Sequence, residues 1–329
     1  ISGNYCVVGA FTDNNECTTP TADFGSAYIF KRNKKGEWKE LIKLTQPTEQ
    51  LEDGFGFSVS ISGCYVAVGA PSAEPDCTDC TTANFGAVFI YEIDKDDNVT
   101  LIKTLGDSDL PESLTVGARF GYIVQLSDNY LIVGAVLGDI NCTNSGDAYV
   151  FERNGDGVWE KGKNLTPSIL EGGGGYGSAV AISGNYCAVG GSFIDSPGSG
   201  DGIVDVFERN SVGVWNRVTT LTVPSNYDGT SVQFGNSVSL SGNYLLVGAT
   251  NTDCTAANTG EVFFYSRDEG GGWTFRTALT KPDYAETQAN SFFGDACAIS
   301  GNFAVVGSEL YDSPATDSGL AVFYQGNKD

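Results

Sequence analysis

The sequence predicts an all-β fold assembled from a repeated four-stranded sheet, and three observations predict it. Gly is abundant, 43 of 329 residues, and aromatic and β-branched residues recur in short bursts between Gly, Asn, Asp and Ser clusters, with few helix-forming runs. The apolar decamer ISGNYCVVGA at residue 1 returns as ISGCYVAVGA at 61, LSDNYLIVGA at 126, ISGNYCAVGG at 182, LSGNYLLVGA at 240 and ISGNFAVVGS at 299. Its turn residues Gly3, Gly63, Asp128, Gly184, Gly242 and Gly301 stand 60, 65, 56, 58 and 59 positions apart, a spacing that fits one multistranded sheet per copy.

Each copy reads as four strands, A to D. Strand A opens on an aromatic-Gly pair eight residues before the turn, at Phe55-Gly56, Phe120-Gly121, Tyr176-Gly177, Phe234-Gly235 and Phe293-Gly294, and the first copy has no such pair. Strand B is the apolar run after the turn. Strand C starts at a Gly and reaches an aromatic five positions later, as in Gly25 and Phe30, Gly86 and Tyr91, Gly146 and Phe151, Gly202 and Phe207, Gly260 and Tyr265, and Gly319 and Tyr324. Strand D follows a short turn and carries Trp38, Trp159, Trp215 or Trp273 in four copies. A and B are almost wholly apolar, as strands covered on both faces are; C and D alternate and are expected nearer the surface.

A four-stranded unit of about 58 residues in six copies fits a β-propeller, whose blades pack face to face. A stacked solenoid is the rival, but no capping repeats are visible. The whole chain, 1–329, is expected to form one propeller domain with repeats at about 1–46, 54–105, 119–166, 175–222, 233–280 and 292–329. The first copy lacks strand A and the last lacks strand D, leaving 22 strands of 24, so flanking sequence or another subunit is expected to complete those blades.

The residues FGFSVSISGCYVAVGAP at 55–71 and GAVFIY at 86–91 resemble the FG-GAP repeat, the blade unit of integrin α-subunit propellers and of many secreted or surface proteins. The resemblance spans essentially the whole chain. Such blades often hold calcium in an Asp-rich loop between the first two strands, but here that connection is Ser-Gly-Asn or a close variant, too short for six to eight oxygen ligands. The chain therefore resembles the calcium-free variety of the repeat.

Composition removes several function classes. Eighteen Lys and Arg against 41 Asp and Glu give a net charge of −23, which opposes nucleic acid and anionic membrane surfaces. No apolar run reaches the ~20 residues of a membrane span, and no basic-then-apolar leader precedes Ile1, so a soluble chain, processed or incomplete, is expected. The absence of His excludes Ser-His and Cys-His catalysis and His-ligated metals within the chain.

The long B-to-C and D-to-A loops fall on one face and form the expected interaction surface. Asp139, Asp195, Asp253 and Asp312 recur five residues after the strand B Gly, with Asp13 and Asp76 offset. They are the weak candidates for Ca2+, the only cofactor considered, although one carboxylate per loop fits an Asx-turn better. Asp94 to Asn98 is read as a solvated hairpin. Of the nine Cys, Cys6, Cys187 and Cys297 align with core positions, and Cys17, Cys77, Cys80 and Cys142 lie in loops as disulfide candidates for an oxidising compartment. Cys64 and Cys254 remain as free or intermolecular thiols.

Sequons place candidate glycans at Asn98, Asn141 and Asn164. The recurring aromatics are assigned to the core, and Tyr227, Tyr284 and Tyr311 in long loops are the candidates for ligand contact. These features favour an extracellular or cell-surface interaction module without catalysis, an adhesion or structural scaffold binding the proteins of a larger assembly. A glycan-binding, lectin-like propeller is the alternative. An enzyme is not expected, since no carboxylate pair stands out from the acidic background.

Overall fold

The computed structural model of the chain describes residues 1–13, 24–47, 53–74, 84–139, 143–196, 198–225, 227, 231–252, 258–281, 290–311 and 318–326. They form 22 strands in six antiparallel sheets, divided between two compact units, Ile1–Thr166 and Pro167–Asp329.

The first unit holds three blades. Blade 1 is β1 (Tyr5–Ala10), β2 (Ser26–Arg32) and β3 (Trp38–Leu44); blade 2 is β4 (Ser58–Ser62), β5 (Tyr65–Ala70), β6 (Ala87–Ile93) and β7 (Val99–Leu105); blade 3 is β8 (Phe120–Ser127), β9 (Tyr130–Ala135), β10 (Asp147–Glu152) and the two-residue β11 (Lys163–Asn164). The second unit holds blade 4, β12 (Tyr176–Ser183), β13 (Tyr186–Gly191), β14 (Ile203–Arg209) and β15 (Trp215–Thr222), and blade 5, β16 (Phe234–Ser241), β17 (Tyr244–Ala249), β18 (Glu261–Arg267) and β19 (Trp273–Leu279). Blade 6 is β20 (Cys297–Ser300), β21 (Phe303–Ser308) and β22 (Leu320–Gln325). The first and last blades thus have three strands each, B to D and A to C, as the repeat pattern predicts. In blade 3 the Trp lies outside a strand, with Arg153 and Trp159 joined by a single bridge ahead of β11.

Within each unit, glycines explain how the blades nest. The Gly of the aromatic-Gly pair has a positive φ and sits against the preceding blade: a Cβ on Gly121 (φ +88°) would lie 2.4 Å from the Ala87 carbonyl oxygen. Gly86, which opens strand C of blade 2, would drive a Cβ to 2.0 Å from the Phe120 oxygen, and Gly69 of β5 to 2.1 Å from the Gly121 oxygen. The second unit repeats this triad at Gly235, Gly202 and Gly190. Only a residue without a side chain allows backbones that close.

The recurring Ser ahead of the turn is explained in the same way. Ser2 Oγ accepts from the Gly63 N–H at 2.9 Å, Ser62 Oγ from Asp128 at 3.0 Å, Ser183 Oγ from Gly242 at 3.0 Å and Ser241 Oγ from Gly301 at 3.2 Å. Each turn is tied to the blade before it, which satisfies an N–H that the two-residue hairpin leaves unpaired.

Phe55, Phe120, Tyr176, Phe234 and Phe293 are fully buried, as their core assignment predicts. The C strands differ from expectation. β6, β10 and β14 are buried along nearly their whole length; in β6 the two faces pack on two different blades, Val88 and Ile90 with blade 3 and Phe89 and Tyr91 with blade 1. The D strands alternate with an exposed face, as in β7 and β19, and so do β20 and β22 of blade 6.

Candidate functional site

The strand A start and strand B end of successive blades frame a concave mouth in each unit. The local device is a turn in which the N–H of the residue after the aromatic-Gly pair donates to the carbonyl of the residue before it: Phe57 to Gly54 at 3.0 Å, Tyr122 to Arg119 at 3.1 Å, Asn236 to Gln233 at 3.1 Å and Asp295 to Phe292 at 3.1 Å. The residue before the pair is left-handed throughout. Gly54 and Gly175 hold it at φ +68° and +62°, yet Arg119, Gln233 and Phe292 adopt +59°, +58° and +50°. A side chain there costs about 1–2 kcal/mol relative to Gly, strain of the kind found at binding sites.

In the first unit the mouth is aromatic. Phe57 meets Phe11 edge-on with ring centroids 5.1 Å apart and lies 4.9 Å from the Tyr122 ring. These rings, with Arg119, Gly54, Pro71 and Ser72, line a cavity of about 270 Å3. Phe11 is 46% and Phe57 38% exposed, and Arg119 is exposed with no ion pair among the described residues. In the second unit the corresponding positions are polar: Gln233, Asn236, Thr250, Asp295 and Glu309 line about 320 Å3 with Asn251 and Phe292. The Thr250 hydroxyl donates to Gln233 Oε1 at 2.9 Å, and Asn236 Nδ2 to Asp295 Oδ1 at 3.3 Å.

Beneath the aromatic mouth, Asp53 precedes Gly54 and is 3% exposed. Gln46 Nε2 donates to its Oδ2 at 2.6 Å, and the Asp53 carbonyl accepts from the Ser72 N–H at 3.2 Å. Burial, reinforced by the nearby Glu74 and opposed by Gln46, pushes the Asp53 carboxyl up to about 7.

The loop acids do not converge. The Asp139 carboxylate accepts from the Asn144 N–H, and Asp195 Oδ1 from the Gly200 N–H at 2.6 Å, so each closes its own loop. Asp253, Asp312 and Asp76 lie outside the described residues. In blade 2 the carboxylate five residues after the strand B Gly is Glu74, whose Oε1 accepts from Asn84 N–H at 2.8 Å, so the recurring acid is a Glu in that copy. Asp13 instead accepts from Tyr28 at 2.7 Å and pairs with Lys43 at 3.0 Å. Among the described residues no three Cys, Asp or Glu side chains are grouped to hold a metal. The Asp94 carboxylate caps its hairpin through the Asp96 and Asn98 N–H groups at 2.8 and 2.9 Å.

Tyr227 packs edge-on against Phe263 at 4.9 Å, and Tyr311 is 5% exposed with the Lys281 amine 5.6 Å from its ring. Both are built into packed surroundings; Tyr284 lies outside the described residues. Cys17, Cys77, Cys80, Cys142, Cys254 and Asn141 also lie outside them. Cys6, Cys64 and Cys297 are half-buried thiols and Cys187 a buried one; burial raises the Cys187 thiol and pushes Cys297 up to about 11. Asn98 is exposed, whereas Asn164 is half-buried and reaches Asp147 at 3.5 Å.

Sequence analysis missed the residues of both mouths. The signal lay immediately beside the aromatic-Gly pair, where Phe57, Tyr122, Ser178, Asn236 and Asp295 follow it and Gly54, Arg119, Gly175, Gln233 and Phe292 precede it.

The family model of the FG-GAP repeat matches residues 38–91, 114–151 and 215–265. No curated protein is significantly similar in sequence. Among solved structures, the periplasmic gluconolactonase of Pseudomonas aeruginosa is similar over 98% of this chain and 83% of its own, with a TM-score of 0.56 and 15% identity. A protein from Lactobacillus plantarum is similar over 98% of this chain and 92% of its own, with a TM-score of 0.42 and 10% identity. The first match corrects the expectation that the chain is not an enzyme. That expectation rested on the lack of a carboxylate pair standing out from the acidic background, and the architecture is shared with a gluconolactonase, so the fold supplies no ground for it. The chain is an all-β propeller of six blades, and three stretches of it match the FG-GAP repeat.

Proposed function

We propose that the chain is an exported carbohydrate-recognising propeller that holds a sugar ring in the aromatic mouth of its first unit. The observation that carries this reading is the partly exposed, non-parallel ring cluster of Phe11, Phe57 and Tyr122 around a cavity of about 270 Å3. The C–H face of a sugar stacks on such rings, and Arg119, charged and without an ion pair among the described residues, donates to the ring's hydroxyl or carboxylate oxygens. The strained backbone at Arg119 supports a selected side chain there, since blades 2 and 4 use Gly at that position.

The name of the similar Pseudomonas structure, a periplasmic gluconolactonase, points toward a sugar-derived ligand and a compartment outside the cytoplasm. The deciding experiment is a glycan array with neutral and uronic-acid sugars, followed by titration calorimetry with the wild type and Phe57→Ala. A sugar lactone is included to read ring opening. Binding weakened at least tenfold by Phe57→Ala is expected; no binding to any sugar, or binding that Phe57→Ala leaves intact, overturns the reading.

A further inference from the structure

The polar mouth of the second unit, a cavity of about 320 Å3 at blades 5 and 6, has a charge opposite to that of the aromatic mouth. Asp295 and Glu309 line it and no Lys or Arg does. Neither carboxylate has an ion pair among the described residues. Asn236 Nδ2 donates to Asp295 Oδ1 at 3.3 Å, and Asp295 Oδ2 makes no hydrogen bond among the described residues. The repeat aligns Arg119 with Phe292 and Tyr122 with Asp295, so a cation and a ring in the first mouth become a ring and an acid in the second.

Two carboxylates alone attract any cation; the rest of the lining makes the cavity selective. Gln233, Asn236 and Asn251 bring three amides to it. The Gln233 oxygen is held by the Thr250 hydroxyl at 2.9 Å, whereas Gln233 Nε2, Asn236 Oδ1 and the Asn251 side chain make no hydrogen bond among the described residues. Phe292 adds a half-buried ring to the wall, held at φ +50°, a conformation that a bulky side chain seldom takes and for which blades 2 and 4 use Gly. Amide donors and acceptors, a ring and a fixed negative charge thus meet in a space within the range of small-ligand pockets.

We propose that this mouth is a second binding site, for a hydroxylated organic ammonium ion of the amino-sugar class. The ammonium group donates to Asp295 Oδ2, and Glu309 adds to the field that draws it in. The hydroxyls exchange hydrogen bonds with the amides of Gln233, Asn236 and Asn251. Phe292 offers its face to the ligand's C–H groups and positive charge. The same acids repel carboxylated sugars, the kind that Arg119 suits in the first unit, so the two mouths sort ligands by the sign of their charge. This inference stands apart from sugar binding in the first unit.

The test is titration calorimetry with glucosamine at about pH 6, where an amine of this kind is charged, and with N-acetylglucosamine as the uncharged control. Saturable binding of glucosamine is expected, weakened at least tenfold by acetylation, by Asp295→Asn and by Phe292→Gly. Asp295→Asn keeps an oxygen for Asn236, and Phe292→Gly installs the residue that blades 2 and 4 carry at this turn, so circular dichroism should find both variants folded. Absence of saturable binding, or equal binding of the acetylated sugar, overturns the proposal. Binding that Asp295→Asn leaves intact also overturns it, as diffuse attraction to the net charge of −23. So does binding lost in Phe57→Ala and kept in Phe292→Gly, which assigns the ligand to the first mouth.

Discussion

The two mouths occupy the same positions of the same repeat and present opposite chemistry. Where the first unit places Pro71, Phe57 and Tyr122, the second places Thr250, Asn236 and Asp295. Beneath both, the backbone is the same: a left-handed residue, a buried aromatic and a Gly pressed against the preceding blade. The difference teaches that the repeat fixes a scaffold and leaves two flanking positions free to carry function. It also separates what a substitution will damage, since glycines of the scaffold serve stability and residues beside them serve the ligand.

The largest effect should strike both units alike. Gly121→Ala and Gly235→Ala each place a Cβ 2.4 Å and 2.6 Å from a carbonyl oxygen of the preceding blade, at φ of +88° and +90°. Overpacking against backbone and the left-handed penalty together predict losses of about 3–5 kcal/mol. Gly63→Ala, with the same sign of φ but open space around it, should cost only about 1 kcal/mol. Urea unfolding measures all three, and equal losses at Gly63 and Gly121 would refute the close-approach explanation.

Those glycines were legible in sequence because they recur with the period of the blade, as did the strand count and the incomplete first and last sheets. The mouths were not legible, for a physical reason. Residues such as Phe57 and Asn236 differ between copies because they line a cavity whose chemistry the nesting of the blades does not dictate, so comparing copies hides them. The double burial of strand C was equally hidden. Its alternation of Val88, Phe89, Ile90 and Tyr91 reflects contact with two different blades, and period alone does not distinguish a neighbouring blade from solvent.

A second contrast is electrostatic. Asp53 lies under the aromatic mouth with its carboxyl raised to about 7, whereas the aligned position in blade 5 is the apolar Val232. A raised carboxyl pKa means that the folded chain holds a proton that the unfolded chain releases above about pH 4. Stability from this group is fully present below that pH and is lost as pH rises toward 7, on the order of 2–4 kcal/mol. Asp53→Asn keeps an oxygen for Gln46 and removes the titration. Its stability, measured by urea unfolding from pH 4 to 8, should lack the decline that the wild type shows.

Binding should divide the mouths more finely. Tyr122→Ala is expected to weaken sugar binding about tenfold, near 1.4 kcal/mol, while Asn236→Ala leaves it unchanged. Calorimetry with the best sugar from the array measures both. A loss at Asn236 equal to that at Tyr122 would place the ligand elsewhere.

The smallest effect is also the sharpest comparison, because it sets the same substitution against two surroundings. Arg119→Gly relieves a left-handed side chain at φ +59°, and the gain should exceed the added unfolded-state entropy by about 0.5–1 kcal/mol, at a cost in sugar affinity. Gln233→Gly relieves the same strain at +58°. It also removes the acceptor of the Thr250 hydroxyl, which is 3% exposed, and an unsatisfied buried hydroxyl costs about 1 kcal/mol or more. Arg119→Gly should therefore raise the unfolding midpoint and Gln233→Gly should leave it level or lower it. The double variant Gln233→Gly with Thr250→Val, which removes donor and acceptor together, should recover the stability that Gln233→Gly alone does not show. If it recovers nothing, the Thr250 hydrogen bond is not what holds Gln233 in its strained conformation.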